Sequence, residues 1–505
     1  MPMPSESIGL DPKQALPAAA ATAHGSLADL LNCPPAARGQ VRIHLVGIGG
    51  AGLSAIAGLL LERGYAVSGS DQRPNEATAE LAGRGATIYR GHQAGHVAGV
   101  HLVLVSSAVP DDNPEVTAAH ASGIPVVKRQ EFLGPLMIGQ HGIGVAGSHG
   151  KTTTTSMIAI ILLRAGFDPS FIIGCRVTIG PAEGVAAATT VAARAGRGPF
   201  VIEADEYDSM FLGLELEAAV VTNVDWDHVD CYPTPQAFIE AFRQFVGRLP
   251  AGGLLLVCAD DPSALALRSA VGPDVTVLAY GLAPEADWQA RNLTPNQFGS
   301  LDAEVWRGGE PVASLSLAIP GRHNVRNALA AMAVANWHGI PPHRAATMLR
   351  DFRGAGRRFE LIGVANGVTV IDDYAHHPTE IAATLAAARM RYPTRRIWAV
   401  FQPHTFSRTK ALLDSYAHCF DDADRVALLD IYPAREKLDL DMHSRKLLER
   451  MEHPAVEYVG GIQAAAERLL ANVAAEDIVI TMSAGDGNQV GQLLLAGLRL
   501  REGKA

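Results

Sequence analysis

Twice in this chain an apolar, strand-like run ends in a glycine-rich turn that opens into a helical stretch. Val41–Val46 leads into Gly47-Ile48-Gly49-Gly50-Ala51-Gly52, and Ile143–Ala146 leads into Gly147-Ser148-His149-Gly150-Lys151-Thr152. Such junctions belong to parallel sheets, because each strand is buried on both faces and a helix must carry the chain back across the sheet. The start of that helix presents unpaired backbone N–H groups, which suit an anion. Two of them, far apart in one sequence, imply two α/β units, each with its own phosphate-binding turn.

The length allows for more. At 505 residues the chain has room for about three domains of ~150 residues each. Apolar residues make up 48% and charged residues 19%, enough to build cores and to exclude disorder as the main state. The longest apolar run, Ala328–Ala335, is far short of the ~18 residues that span a bilayer. The N-terminus lacks the basic start and apolar core of a secretion signal. Forty-two basic against 52 acidic residues give a net charge of −10, which disfavours a general nucleic-acid or anionic-membrane binder. Five scattered cysteines without a Cys-x-x-Cys pair disfavour a disulfide framework or thiolate zinc site and fit a reducing cytoplasm.

Four segments are expected. Residues 1–38, rich in Ala and Pro, read as a mobile extension with a short helix near Leu27–Leu31. Residues 39–140 alternate strands (Val41–Val46, Ala66–Ser70, Thr87–Tyr89, Leu102–Ser106, Pro125–Val127) with helices. Residues 141–354 continue the rhythm with Pro199–Glu203, Ala218–Asn223 and Leu254–Cys258, then change to short antiparallel strands over 284–318 and an Ala-rich helix, Asn324–Gly339. Residues 355–505 form a last α/β unit with strands Val368–Asp372, Ile397–Phe401, Arg425–Leu429 and Asp477–Met482.

In the first turn, Gly47, Gly49, Gly50 and Gly52 permit close approach of a pyrophosphate. Asp71, after the next strand, stands where a carboxylate meets a ribose hydroxyl. Any ribosyl pyrophosphate satisfies this pattern. In the second turn, Gly147, Ser148, His149 and Gly150 can cradle phosphates, Lys151 can reach the terminal ones, and Thr152 can ligate Mg2+, with Thr153 beside it. The general phosphate-loop motif has a glycine where this chain has Val145. A dehydrogenase needs only the first turn and a simple phosphate-loop NTPase only the second. Together they point to ATP-driven chemistry on a second, nucleotide-bearing substrate.

Carboxylates at strand ends supply metal chemistry. Glu203 closes an apolar strand and suits Mg2+, whereas Asp205, Glu206 and Asp208 read as solvated loop acids. His228, within the acidic run Asn223–Asp230, is a candidate ligand for a second metal.

Further motifs follow in order: Gly321-Arg322-His323-Asn324-Val325-Arg326-Asn327, Gly356-Arg357-Arg358-Phe359-Glu360, Asp372-Asp373-Tyr374-Ala375-His376-His377-Pro378, and Phe401-Gln402-Pro403-His404-Thr405-Phe406-Ser407-Arg408-Thr409. With the glycine turns and Glu203-Ala204-Asp205-Glu206, this ordered set resembles the Mur ligases across about residues 41–490.

The resemblance implies three domains: an N-terminal Rossmann-like UDP-sugar domain, a central phosphate-loop ATPase-like domain and a C-terminal Rossmann-like α/β domain that closes over the site. It implies amide-bond formation between L-alanine and the lactyl carboxylate of UDP-N-acetylmuramate, the first amino-acid addition to the peptidoglycan precursor. ATP and Mg2+ are the expected cofactors, and an acyl phosphate is the expected intermediate. The alternative is the recycling branch, which adds a preformed tripeptide to the same sugar. Partners are these small molecules, with no nucleic acid and no membrane insertion, and the chain acts as a monomer or homodimer.

By the same resemblance, Gly47, Gly49, Gly50, Gly52, Asp71 and Ser106 bind the UDP-sugar. Thr152, Glu203 and His228 hold metal. Gly147–Thr153, Asn324, Asn327, Arg357, Arg358 and Tyr374 bind ATP, the two asparagines and Tyr374 around adenine. Lys151, His376, Arg358 and Arg408 are the catalytic set. His376 either deprotonates the alanine ammonium or only orients it, and Arg408 pairs with the alanine carboxylate. Thr405 stands where some relatives carry a second arginine, and Tyr207 where many alanine-adding members carry serine. The late turn Ser483-Ala484-Gly485-Asp486-Gly487 has no assigned role.

Overall fold

A computed structural model describes residues 26–180 and 188–502. Three sheets follow one another along the chain. The first is wholly parallel and contains β1 (Arg42–Val46), β2 (Ala66–Asp71), β3 (Thr87–Arg90), β4 (Leu102–Val105) and β5 (Val126–Lys128), in the order β3-β2-β1-β4-β5. The chain steps to one side of β1 and then to the other. The first glycine turn therefore leaves β1 at the crevice where such sheets bind ligands.

The second sheet has ten strands. They are β6 (Gly142–Ala146), β7 (Ser170–Ile179), β8 (Thr189–Arg194), β9 (Phe200–Glu203), β10 (Ala218–Val221), β11 (Leu254–Cys258), β12 (Thr276–Gly281), β13 (Trp288–Pro295), β14 (Leu301–Arg307) and β15 (Glu310–Ser316). The parallel heart is β11-β10-β6-β9, and the phosphate-loop strand β6 lies between β10 and β9. Their C-terminal ends carry the Asn223–Asp230 run and Glu203 to the same edge. The expected antiparallel meander is β13–β15. The β7–β8 hairpin is an addition that the sequence did not disclose.

The third sheet is β16 (Glu360–Ala365), β17 (Val368–Asp373), β18 (Ile397–Phe401), β19 (Arg425–Leu429), β20 (Val456–Gly460) and β21 (Ile478–Met482), in the order β16-β17-β21-β18-β19-β20. Only β16 runs antiparallel. Tyr374–His377, Gln402–Arg408 and Ser483–Gly487 all leave its C-terminal edge.

The helix Lys151–Arg164 is buried from Thr152 to Leu163 and packs against the helix Arg322–Trp337. Alanines at 328, 330, 331, 333 and 335 of the latter are buried and let the two backbones approach. The helix Ala51–Glu62 contacts β7 and β8, and one apolar cluster runs from Ile43 and Leu45 to Phe200, Phe211 and Phe242. The first two units thus share a core, whereas the third has its own.

One expectation needs correction. Mobility does not extend through residue 38. Leu27–Leu31 is the short helix expected there, but it is packed: Leu30 and Leu31 are buried, and the Tyr65 hydroxyl donates to Leu31 O at 2.5 Å. These leucines fill the apolar flank of the first unit, which the Ala/Pro composition did not reveal. Residues 1–25, the remainder of the expected extension, lie outside the described residues.

Candidate active site

The second turn is shaped by its glycines. Gly147 and Gly150 have φ of 127° and 81°, conformations that L side chains rarely adopt. A Cβ on Gly147 would stand 2.0 Å from Thr222 Oγ1, and one on Gly150 2.9 Å from Asn327 Oδ1. Lys151 folds back along the loop: Nζ donates to Gly147 O at 2.5 Å and to Glu206 Oε2 at 2.9 Å. Burial alone would lower its pKa, but the charges of Glu206, Asp205 and Glu203 leave it raised. Glu206, expected to be a solvated acid, is instead fully buried as the partner of both Lys151 and His228. Its place just past a buried strand end was the available signal.

Thr152 Oγ1 donates to Glu203 Oε2 at 3.1 Å, and Gly174 N donates to Glu203 Oε1 at 2.5 Å. Burial pushes the Glu203 pKa up, as for a carboxylate short of positive charge. That hydroxyl–carboxylate pair is a hard oxygen donor set and fits Mg2+. His228 meets Glu206 at 3.3 Å and Asp227 at 4.0 Å. It is therefore on the lysine side of the site.

The third unit reaches in from β17 and β18. Arg408 is 7% exposed. Its Nε and NH2 donate to the two Asp227 oxygens at 2.6 and 3.2 Å, while NH1 donates to His404 O at 2.7 Å. The arginine expected to meet an amino-acid carboxylate here holds the protein's own. Burial alone would raise the Asp227 pKa, but Arg408 and then His228 hold it well below the carboxylate range. Burial lowers the His376 pKa to about 3. His376 Nδ1 lies 3.0 Å from Tyr374 O, so a proton on Nδ1 donates to that carbonyl and Nε2 keeps its lone pair. Thr405 and Ser407 hydroxyls both bind the Glu436 carboxylate.

The two hinge arginines differ. Arg357 Nε donates to Asp372 Oδ2 at 2.9 Å and its NH2 to Ser483 O at 2.6 Å, so it is an ion pair within the third unit. Arg358 borders two cavities. The smaller, of about 360 Å³, is lined by Gly150, His323, Asn324, Arg326 and Asn327. The larger, of about 1310 Å³, runs from Ala51 and Arg129 past Lys151, Thr152, Glu203 and His228 to His376, His404 and Arg408. Tyr374 lines the larger cavity, between Arg357 and Arg358, and not the one lined by the asparagines. Asn327 Nδ2 donates to Asn324 Oδ1 at 3.2 Å, and Asn324 Nδ2 to Pro320 O at 2.6 Å.

In the first unit, Asp71 Oδ2 accepts from Gly49 N at 3.0 Å and Oδ1 from Arg73 N at 2.9 Å. The carboxylate thus also fixes its own turn. Ser106 approaches the turn from β4: a Cβ on Gly47 would lie 3.2 Å from its Cβ. Arg129, which sequence reasoning missed, stands over Gly52 and lies 3.6 Å from Asp205.

Profiles of three regions match in succession: "Mur ligase family, catalytic domain" over residues 42–141, "Mur ligase middle domain" over 145–335, and "Mur ligase, glutamate ligase domain" over 357–485. The chain belongs to the Mur ligase family. It is 44% identical to a UDP-N-acetylmuramate–L-alanine ligase of Roseiflexus sp. (strain RS-1), an alignment covering 90% of this chain and 99% of that one. It is 46% identical to the protein of that name from Acidithiobacillus ferrooxidans (strain ATCC 53993 / BNL-5-31), covering 88% and 95%. Among solved structures, the UDP-N-acetylmuramate-alanine ligase of Thermotoga maritima superposes with a TM-score of 0.73 at 25% identity, covering 92% and 99%. A murein peptide ligase of Psychrobacter arcticus 273-4 gives 0.70 at 28%, covering 91% and 98%. These Mur ligases share the three-domain α/β architecture that the sequence pattern implied. No helix among the described residues is long and apolar enough to cross a membrane.

Proposed function

We propose that this Mur ligase uses ATP to join L-alanine to the lactyl carboxylate of UDP-N-acetylmuramate. The observation that carries the reading is one continuous cleft, joining the first glycine turn and Arg129 to Lys151, Thr152 and Glu203 and on to His404 and Arg408. The near full-length likeness to alanine-adding relatives supports it.

In this reading the loop of Gly147–Gly150 and the start of the next helix bind the phosphates, and Lys151 moves from Glu206 to the terminal one. A carboxylate approaching a triphosphate brings like charges together, so cations must screen them. Thr152, Glu203 and His228, which line the same cavity, would hold Mg2+, which supplies part of that screening. Arg358 supplies more from the third unit. The small cavity beside Asn324 and Asn327 takes the adenine. Arg408 exchanges Asp227 for the alanine carboxylate, and His376 orients the amine. Five free cysteines suit a reducing, cytoplasmic location.

The test is phosphate release from ATP with Mg2+ and UDP-N-acetylmuramate, comparing L-alanine, glycine, L-serine and the recycling tripeptide, with product masses. Release that depends on alanine, with the matching product, is expected. Turnover with the tripeptide alone would move the protein to the recycling branch.

A further inference from the structure

We infer, resting on the amide-forming reading above, that Arg435 selects the acceptor: its guanidinium binds the free carboxylate of the amino acid whose amine attacks. The cleft must hold a third anion. Besides a triphosphate and a lactyl carboxylate it receives the carboxylate of the amino acid, and an anion leaving water needs a cation or several donors. At the His404–Arg408 end a free cation is scarce. Arg408 is forked onto Asp227, and Lys151 lies on Glu206. Burial keeps His376 and His404 neutral, with pKa values lowered to about 3 and about 4.

Arg435 lines the same cleft with Thr405, Ser407 and Arg408. Among the described residues it makes no ion pair and no side-chain hydrogen bond. Its guanidinium reaches from the third unit to within 5.5 Å of the ring centre of Tyr207 in the second, a cation–π contact that leaves its N–H donors free. The loop after β19 that carries it is fixed at several points. Tyr432 N donates to Pro403 O at 2.8 Å, and the Tyr432 and His404 rings stack with centres 5.7 Å apart. Ala434 has φ of 52°, a left-handed conformation that persists where neighbours enforce it and that recurs at ligand sites.

The nearby acids are engaged elsewhere. Glu436 Oε1 accepts from the Thr405 and Ser407 hydroxyls, and Oε2 from Ser407 N at 3.0 Å. Asp230 accepts from the Tyr207 hydroxyl at 3.0 Å. Arg408 can turn to a substrate carboxylate only by leaving Asp227 buried and unpaired, which is costly. Arg435 breaks no such pair, so it receives the carboxylate first and offsets the exchange. An acceptor whose alanine carboxyl is already an amide, as in the recycling tripeptide, forfeits this contact.

The test measures phosphate release and product mass at varied L-alanine and L-alaninamide, with ATP, Mg2+ and UDP-N-acetylmuramate saturating. Arg435 is exposed, so its replacement removes the charge without opening a core, and circular dichroism verifies the fold. Arg435→Ala is expected to lower kcat/KM for L-alanine about tenfold, chiefly through KM, and to leave kcat/KM for L-alaninamide nearly unchanged. Comparing each variant with the wild type cancels the difference in amine basicity between the two acceptors. Arg435→Lys is expected to recover part of the preference for the free acid, because the charge remains without the fork. Lys437→Ala, which removes an exposed cation outside the cleft, is expected to change neither value. Alanine turnover by the wild type with an unchanged KM in Arg435→Ala, or equal losses with both acceptors, would overturn this role alone. Wild-type turnover with the tripeptide only would overturn it together with the reading on which it rests.

Discussion

His376 is a half-hidden imidazole, its side chain 14% exposed, with Nδ1 beside Tyr374 O and Nε2 3.9 Å from Asp227. Burial holds its pKa at about 3. With the pKa depressed, the ring is neutral at every pH above that value, and it is too weak a base to strip an ammonium group efficiently. In the proposed reaction the neutral ring is expected to orient the amine rather than take its proton. His376→Ala is expected to lower kcat/KM for alanine about 10–100-fold and to leave the acid limb of the pH profile in place; a lost or displaced limb would restore the base. Lys151 is a different case, because its charge itself screens the phosphates. Lys151→Ala should cut kcat by at least about 100-fold, read by phosphate release, and should also lower the melting midpoint, because it leaves the fully buried Glu206 without its lysine. Glu115 belongs to stability. It is fully buried beside His44, His92 and His96. Burial alone would raise its pKa, but the His44 imidazole 3.7 Å away and hydrogen bonds with Ser70 and His96 hold it at about 2 rather than 4.5. A depressed pKa contributes stability above the unfolded value, and that part is lost as pH falls from about 4.5 towards 2. Glu115→Gln should remove about 3 kcal/mol at pH 7 and flatten the acid limb of denaturant-derived stability.

At the scale of elements, β6, its turn and the following helix form one device, since the turn places the helix N–H groups at the strand end. Gly147→Ala puts a methyl 2.0 Å from Thr222 Oγ1 at φ 127°. It should cost about 1–3 kcal/mol and weaken ATP binding at least tenfold, measured by calorimetry; unchanged binding would mean that the loop does not cradle phosphate. Both glycine turns were legible in the sequence because an apolar strand, a positive-φ glycine and a helix start are all local signals. So were the strand ends that carry Glu203, His376 and Arg408. The hairpin β7–β8 was not, because its strands lack a clean period of two and pair with each other across a register shift between Ile172 and Val177. The late turn was visible but mute. Its purpose depends on a distant partner: Gln402 Oε1 accepts from Ser483 Oγ at 2.7 Å and Gly487 N at 2.9 Å, tying the loop after β21 to the loop after β18. The Arg408–Asp227 and Lys151–Glu206 pairs were hidden for the same reason. Sequence spacing marks which residues are polar and near a strand end, but not which opposite charge the fold will bring to them.

Across the whole molecule, cohesion is uneven. The first and second units share an apolar cluster, so separating them would expose a continuous core. Among the described residues, the third unit's own clusters remain within it, and Met390 alone joins the cluster of the second. Its other ties to the centre are polar: Arg408 to Asp227, Thr379 Oγ1 to Asp225 at 2.7 Å, and Arg358 with His149 around Glu380. An interface of that kind can open without uncovering a core, which is what a ligase needs if its third unit must admit one substrate and then close on another. The strongest tie is the buried Arg408–Asp227 fork. Removing one partner leaves the other charge buried and unpaired, at a cost of about 3–5 kcal/mol, and the chain can escape that cost by swinging the third unit away so that Arg408 reaches water. Asp227→Ala is therefore expected to enlarge the radius of gyration in solution scattering, with ATP and UDP-N-acetylmuramate restoring the compact form. Denaturation should show the third unit unfolding earlier while the joint core of the first two holds. A variant that scatters like the wild type and melts in one step at the wild-type midpoint would show that the remaining contacts suffice, and that opening is set elsewhere along the hinge at Gly354–Arg358.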